Sequence, residues 1–389
     1  MLIHIGCSKY LGFLVGPLAT AACNFQEPME KFRQRAAYWL SLRSIGSYFQ
    51  CLGFNMCAIS VLFFISQLFN VPAELLEEVN EITLKLMLGP RHWIRGSRGH
   101  PYFRSLLDLG MKAAPRCPHS STLALTYAST MRFLPDFEAK VSTLKSCTRN
   151  NSDITIKRCM NIVNESHASH SQAVHRLFYK NKLQNRIEQL APDMRISKAA
   201  YSAVFDYLHP VGATQNLFHK RYHRWCTEQL LHDSRVRQWS EGAISRLKWL
   251  SLHVPPRVHM SNVRLHLNAW HTNRRYQIVD DRGCKFCLKA HDSLEHFFKC
   301  PSISAVLPAI LKVNGIVPVQ TWLLKSDFKQ HRLLMALYIH AIYNVHNMYR
   351  NKADRQEFRQ TVENLVLGIP LKPKLQAYIR QAVNPYVWY

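Results

Sequence analysis

Three cysteines and one histidine, Cys284, Cys287, His296 and Cys300, carry the clearest chemistry in this 389-residue chain. Their spacing, C-x2-C-x8-H-x3-C, gathers three thiols and one imidazole within 17 positions. Soft sulfur combined with imidazole suits Zn²⁺ in a closed tetrahedron, where four protein ligands leave no position for a reacting water. The expected cofactor is therefore a structural Zn²⁺, and no catalytic residue is assigned. His291 competes with His296, because Cys284-x2-Cys287-x3-His291 also brings an imidazole near. His296 is preferred, since it precedes Cys300 by one helical turn and shares its face. Asp292, with Glu295 three residues on, predicts a capping box that opens this short helix.

Two further stretches interleave cations with flat rings. The run from Phe218 to Trp225 supplies Lys220, Arg221, Arg224 and Trp225, and the run from Arg264 to Tyr276 supplies Arg264, Trp270, Arg274 and Arg275. Cations hold phosphates and exposed rings stack on unpaired bases, so these are the candidate nucleic-acid contacts. The competing reading puts the rings in a core and the cations on a solvated face. Lys plus Arg number 50 against 25 acidic residues, a formal charge of +25. That excess suits a polyanionic partner, RNA or DNA, rather than a membrane, and points to no small-molecule substrate.

Other clusters offer less. His167, His170 and His175 are spaced like helix-face ligands but have no Cys or acid at a useful offset. Asp280-Asp281 reads as a turn entering the Cys284 loop rather than as a metal-binding acid pair. There is no Gly-rich phosphate loop, nucleophile elbow or His-Glu-x-x-His motif. The 11 cysteines do not form a disulfide framework, so a reducing compartment, nuclear or cytoplasmic, is expected.

The elements that must position these residues read as mainly α. Residues 8–16 predict a short buried strand broken by glycine, and Pro28 to Leu42 predicts an amphipathic helix. Ile45 to Phe69 carries no charged residue and reads as one or two buried helices. A membrane span over 45–69, or a signal-like apolar region over Leu11 to Ala22, is the competing reading. Glu74 to Leu88 predicts a helix with Leu75, Leu76, Val79, Ile82 and Leu86 on its apolar face, stopped by Gly89-Pro90. Arg91 to Arg104 reads as a basic loop. Residues 117–170 are Ser/Thr/Asn-rich with weak periodicity, and a linker or insertion is placed near 140–170. Helical patterns resume at 171–193, 196–208, 214–250 and, beyond the cysteine cluster, at Lys329 to Tyr349 and Gln356 to Leu367.

Taken together, these pieces resemble the C-terminal part of a non-LTR (LINE-type) retrotransposon reverse transcriptase. Lys9-Tyr10-Leu11-Gly12-Phe13 ahead of a Trp39-bearing helix is similar to that family's primer-terminus strand and thumb entry. Residues 44–89, with Trp93 beyond, resemble the thumb helices. Val263 to Trp270, leading to Cys284, Cys287, Asp292, His296 and Cys300, is similar to the zinc-binding module after the polymerase. The resemblance implies a helical thumb-like bundle preceded by a short strand, a helical connector, a small CCHC zinc knuckle and a helical C-terminal tail. The corresponding regions are 1–95 (palm end and thumb), 96–245 (basic connector), 246–305 (knuckle) and 306–389 (tail). It assigns Tyr10, Leu11 and Gly12 to the primer-terminus strand, and template-primer or element RNA as partner. The family's metal-binding Asp residues should precede Tyr10, so Mg²⁺ chemistry is expected only of a full-length polymerase and this chain is expected to bind without synthesising DNA. The rivals are an autonomous enzyme, a protein anchored in a membrane through 45–69, and a zinc-stabilised protein-interaction module.

Overall fold

A computed structural model describes residues 8–10, 12–15, 19–42, 45–69, 71–88, 101–111, 114–129, 183–190, 195–209, 212–227, 236–276, 283–312, 315, 317–349 and 358–383. The chain is mainly helical, and its described strands form one antiparallel pair. It divides into two compact units, Met1–Ile45 with Phe49–Gly89 and Pro115–Pro210, and Gly46–Tyr48 with Pro90–Ala114 and Val211–Tyr389. The segments expected as knuckle (246–305) and tail (306–389) fall in the same unit. The segment expected as linker or insertion, 140–170, lies outside the described residues, as do His167, His170, His175, Asp280, Asp281 and Leu11.

In the first unit the single strand expected over 8–16 is a surface hairpin. Ser8–Tyr10 pairs with Phe13–Val15, placing Lys9 opposite Leu14 and Tyr10 opposite Phe13. Gly12 makes the turn at φ +88°, a left-handed conformation open to glycine, and a Cβ there would meet the Phe64 ring at 3.1 Å. Asn24 anchors the hairpin like a neighbouring strand. Its side chain accepts from the Leu14 N–H (2.7 Å) and donates to the Leu14 carbonyl (3.1 Å). Asn24 belongs to the helix Ala21–Ser41, which begins at Ala21 rather than at Pro28. Thr20 caps its first turn, accepting from the Cys23 N–H at 3.2 Å. Pro28 removes one helical hydrogen bond, yet the helix continues because Phe25, Met29, Phe32 and Ala36 bury one continuous face.

The uncharged stretch after it is broken into Ser47–Gly53, a wider π turn Phe54–Ala58, and Ser60–Ile65. Phe54 meets Phe32 edge-on at 5.9 Å. Tyr48–Ile65 is long and apolar enough to cross a membrane, with mean hydropathy 1.7 over 18 residues, and 44% of it is buried. In Ala73–Leu88, Val79 and Leu86 are buried as expected, and Arg33 clamps Glu78 with two bonds at 2.6 and 2.8 Å. The weak periodicity after residue 117 conceals a buried helix over 118–129. Two of its hydroxyls turn onto carbonyls: Thr122 donates to His119 (3.1 Å), and Thr126 to Thr122 (3.1 Å) and Ser66 (2.8 Å). Those two threonines are thus buried with their hydroxyls paired. Ala124 and Tyr127 then pack with Leu183, Ile187 and the small face Ala199, Ala200 and Ala203 of Ile196–Leu208.

In the second unit Pro101–Asp108 is helical where a basic loop was expected, with Arg104 bonded to Asp108 at 3.0 Å. The pattern over 214–250 is two helices, Ala213–Thr227 and Val236–His253, which pack on each other. Pro256–His266 follows and lies against Lys329–Tyr349, the helix whose Leu334, Met335, Leu337, Ile339, Ile342 and Val345 form the centre of the unit. Phe358–Leu367 and then Pro373–Val383 complete it.

Candidate metal centre

The four donor atoms of Cys284, Cys287, His296 and Cys300 lie within 4.8 Å of one another. The Cys284 and Cys300 sulfurs are 3.9 Å apart, and Cys287 Sγ stands 3.1 Å from His296 Nε2. A tetrahedron with Zn–S of about 2.3 Å has S–S edges of about 3.8 Å, so the donor set fits one Zn²⁺. The local sequence explains the convergence. Gly283, at φ +75°, turns the chain so that the Cys284 N–H bonds the Ala290 carbonyl (2.5 Å), and a Cβ there would lie 2.9 Å from the Leu288 carbonyl oxygen. The Cys284 sulfur accepts from the Phe286 N–H, and its carbonyl from the Leu288 N–H (2.9 Å). These bonds close the Cys-x-x-Cys turn. The other two ligands come from Leu294–Phe297 and from Cys300, which leads into Pro301–Val306.

The two buried thiols are shifted in opposite directions. The hydrogen bond from Cys284 holds the Cys300 thiol below the ordinary range, while that contact and burial push Cys284 above it. Burial lowers His296, opposed by the charge of Asp292. His291 is exposed and stands outside the cluster.

The expected cap is corrected by one residue. Ser293, not Asp292, caps Leu294–Phe297, accepting from the His296 N–H at 3.1 Å. Asp292 instead is fully buried, where its carboxylate accepts from the Asn273 N–H (2.9 Å) and faces His346 Nε2 at 3.1 and 3.3 Å. Glu295 pairs with Arg274 at 3.6 Å. Sequence reasoning missed His346, because nothing local marks a partner 54 positions from Asp292.

The candidate nucleic-acid residues separate by face. Phe218, Tyr222 and Trp225 recur at helical spacing on the buried side of Ala213–Thr227, while Asn216, His219, Lys220, His223 and Arg224 are exposed and Arg221 is half-buried. Trp225 is 1% exposed, stacked on Tyr222 at 5.3 Å, and Trp270 is 0% exposed, its Nε1 donating to the Ser261 carbonyl. Neither indole is a stacking platform, which corrects that expectation. Arg264 is half-buried, hydrogen-bonded to the Tyr343 hydroxyl and 5.7 Å from that ring's centre. Arg274 is exposed beside Glu295, and Arg275 lies in the short helix Asn273–Tyr276. Tyr10 is in the first strand and Gly12 in the turn.

Three other buried contacts each involve a histidine. The Tyr222 hydroxyl and His266 Nδ1 are hydrogen-bonded at 2.5 Å, and burial, helped by Arg246 and His259, lowers His266 to about 3. Ser261 bonds His340, which burial and Arg257 lower to about 4. Cys117 lies 3.3 Å from His209, and burial pushes its thiol up, the opposite of an activated nucleophile. No family model, no curated protein and no solved structure matches the chain.

Proposed function

We propose that the chain is a nucleic-acid-binding protein organised by a structural Zn²⁺, equivalent to the thumb and post-polymerase zinc knuckle of a non-LTR retrotransposon reverse transcriptase. The observation that carries the metal half is the convergence of Cys284, Cys287, His296 and Cys300. The nucleic-acid half is supported by the net charge of +25 and by the exposed cations of Ala213–Thr227, with Lys285, Lys289 and Lys299 around the cysteine loop. When bound, the ion cross-links a loop that has little secondary structure of its own. Lys220 and Arg224 then hold phosphates from the exposed side of a helix whose other face is locked in the core. With Trp225 and Trp270 buried, the contact is to the backbone of RNA or DNA rather than to base faces.

The test is anisotropy of a labelled RNA hairpin and an RNA–DNA duplex across salt. Binding through six or more phosphates falls by about a thousandfold between roughly 50 and 200 mM salt. Affinity that stays flat overturns the reading, and metal-dependent primer extension by the isolated chain would favour the autonomous-enzyme rival. A zinc-stabilised protein-interaction module would keep the metal and lack the salt-dependent binding. One observation favours a membrane reading: Phe49, Leu52 and Met56 of the 48–65 stretch are exposed at 57%, 39% and 68%. Retention in the pellet after alkaline carbonate extraction would support it.

A further inference from the structure

We infer that the cysteine loop and the C-terminal helices fold as one body, with His346 as the positioning residue through which metal occupancy sets the order of Lys329–Tyr349. The inference rests on the metal reading of Cys284, Cys287, His296 and Cys300.

Residues beside the ligands make the contacts. Asp292 lies in the chain between Cys287 and His296 and is fully buried against His346 Nε2, at 3.1 and 3.3 Å from its two oxygens. The Asp292 carbonyl also accepts from the Arg274 N–H at 3.2 Å, so the carboxylate and the backbone together fix the loop. Phe286, inside the Cys-x-x-Cys turn, sits 4.9 Å from the Phe358 ring and 5.9 Å from His346. Phe297, next to His296, meets His346 edge-on at 5.4 Å. Each side of the metal loop thus delivers one aromatic ring and, from Asp292, one carboxylate to the same imidazole.

The loop itself has a four-residue helix and a few turn bonds, too little to hold its shape without a cross-link. Releasing the ion frees Phe286 and Asp292, and His346 then faces no partner for its Nε2 proton in a dry site. Its Nδ1 already has none among the described residues. Conversely, removing the imidazole leaves a buried carboxylate that drags the loop, and its ligands, out of place.

The test uses the full chain and amide hydrogen exchange with and without a zinc chelator, together with Co²⁺ titration followed by thiolate-to-metal absorption. Chelation is expected to speed exchange in 329–349 and 358–367 by about tenfold or more. His346→Leu is expected to weaken metal binding by about 10–100-fold, the range of outer-shell changes. His346→Gln, which returns a donor near Nε2, should recover most of that loss, whereas a merely space-filling role would be met equally by leucine. If metal binds but exchange in 329–349 does not change on chelation, this inference fails alone. If the wild-type chain binds no metal, it fails together with the reading on which it rests. The chelation arm needs no variant, so a His346→Leu chain that does not fold leaves the inference open to refutation.

Discussion

The Cys287 sulfur stands 3.1 Å from Nε2 of His296, so the imidazole presents its outer nitrogen to that thiol. Ser293 caps the short helix that carries His296, whereas Cys300 lies beyond that helix, in extended backbone at the start of Pro301–Val306. The two ligands therefore do not share the helical face that their spacing predicts. His291, only five positions before His296, is exposed and is not one of the four clustered donors. We therefore expect one zinc per chain by metal analysis of protein purified without chelator. His296→Ala should lower zinc affinity by more than the roughly 10–100-fold of an outer-shell change. His291→Ala should leave it unaltered. Equal losses from the two variants would reassign the ligand.

The exposed cations and buried rings of Ala213–Thr227 lead to opposite behaviours. Lys220→Glu and Arg224→Glu should weaken RNA binding across all sequences and reduce the salt slope by about 1 each. Thermal stability should hardly change, since both side chains are exposed. Trp225→Ala should do the reverse, lowering stability by about 3–5 kcal/mol through the cavity beside Tyr222 and Phe298. Anisotropy and urea unfolding on the three variants separate the effects. A Trp225→Ala chain of unchanged stability and lost binding would restore the stacking role.

The sequence made some of this legible and concealed the rest for identifiable reasons. The four ligands were readable because Cys and His at metal-binding spacing are a local signal, although Cys300 lies beyond the helix that carries His296. Lys329–Tyr349 was readable because its apolar run from Leu333 to Tyr343 is broken only by His340. Phe218, Tyr222 and Trp225 misled because a ring at helical spacing looks the same whether its face meets core or solvent. Helix 118–129 was hidden because the pattern of Ser and Thr does not reveal whether their hydroxyls bond carbonyls of their own helix. The Asp292–His346 contact was beyond local reading altogether, since only the folded chain brings those positions together.

Gly283 gives a backbone test of the cysteine loop. Alanine there would strain a residue at φ +75° and press its Cβ against the Leu288 carbonyl oxygen, 2.9 Å away. A left-handed non-glycine residue costs about 1–2 kcal/mol before any clash. Because the strain falls where Cys284 bonds Ala290, it should appear as weaker metal binding as well as lower stability. Competition with a chromophoric chelator reads the first and urea unfolding the second. A Gly283→Ala chain with wild-type zinc affinity would mean that the turn does not position Cys284.

Acid should unfold the second unit through histidines that touch no metal. His266 and His340 are held neutral by burial, at about 3 and about 4 against an ordinary 6.5. Both folded values are depressed, so their contribution is fully present above pH 6.5 and is lost as pH falls toward the folded values. Below 6.5 the unfolded chain takes up protons that the folded chain refuses, and each histidine removes about 1.4 kcal/mol per pH unit. Urea midpoints at pH 7.5, 6.5 and 5.5, with an unchanged m-value, should fall only in the lower interval. Release of zinc in acid adds a slope of its own, but it adds equally to the wild type and to His340→Asn, in which one titrating ring is gone. The difference between the two chains below pH 6.5 therefore isolates His340, and its expected sign is a shallower fall for the variant. Identical pH profiles would show that His340 takes up its proton as readily in the folded chain as in the unfolded one, and its contact with Ser261 would then have no part in acid stability.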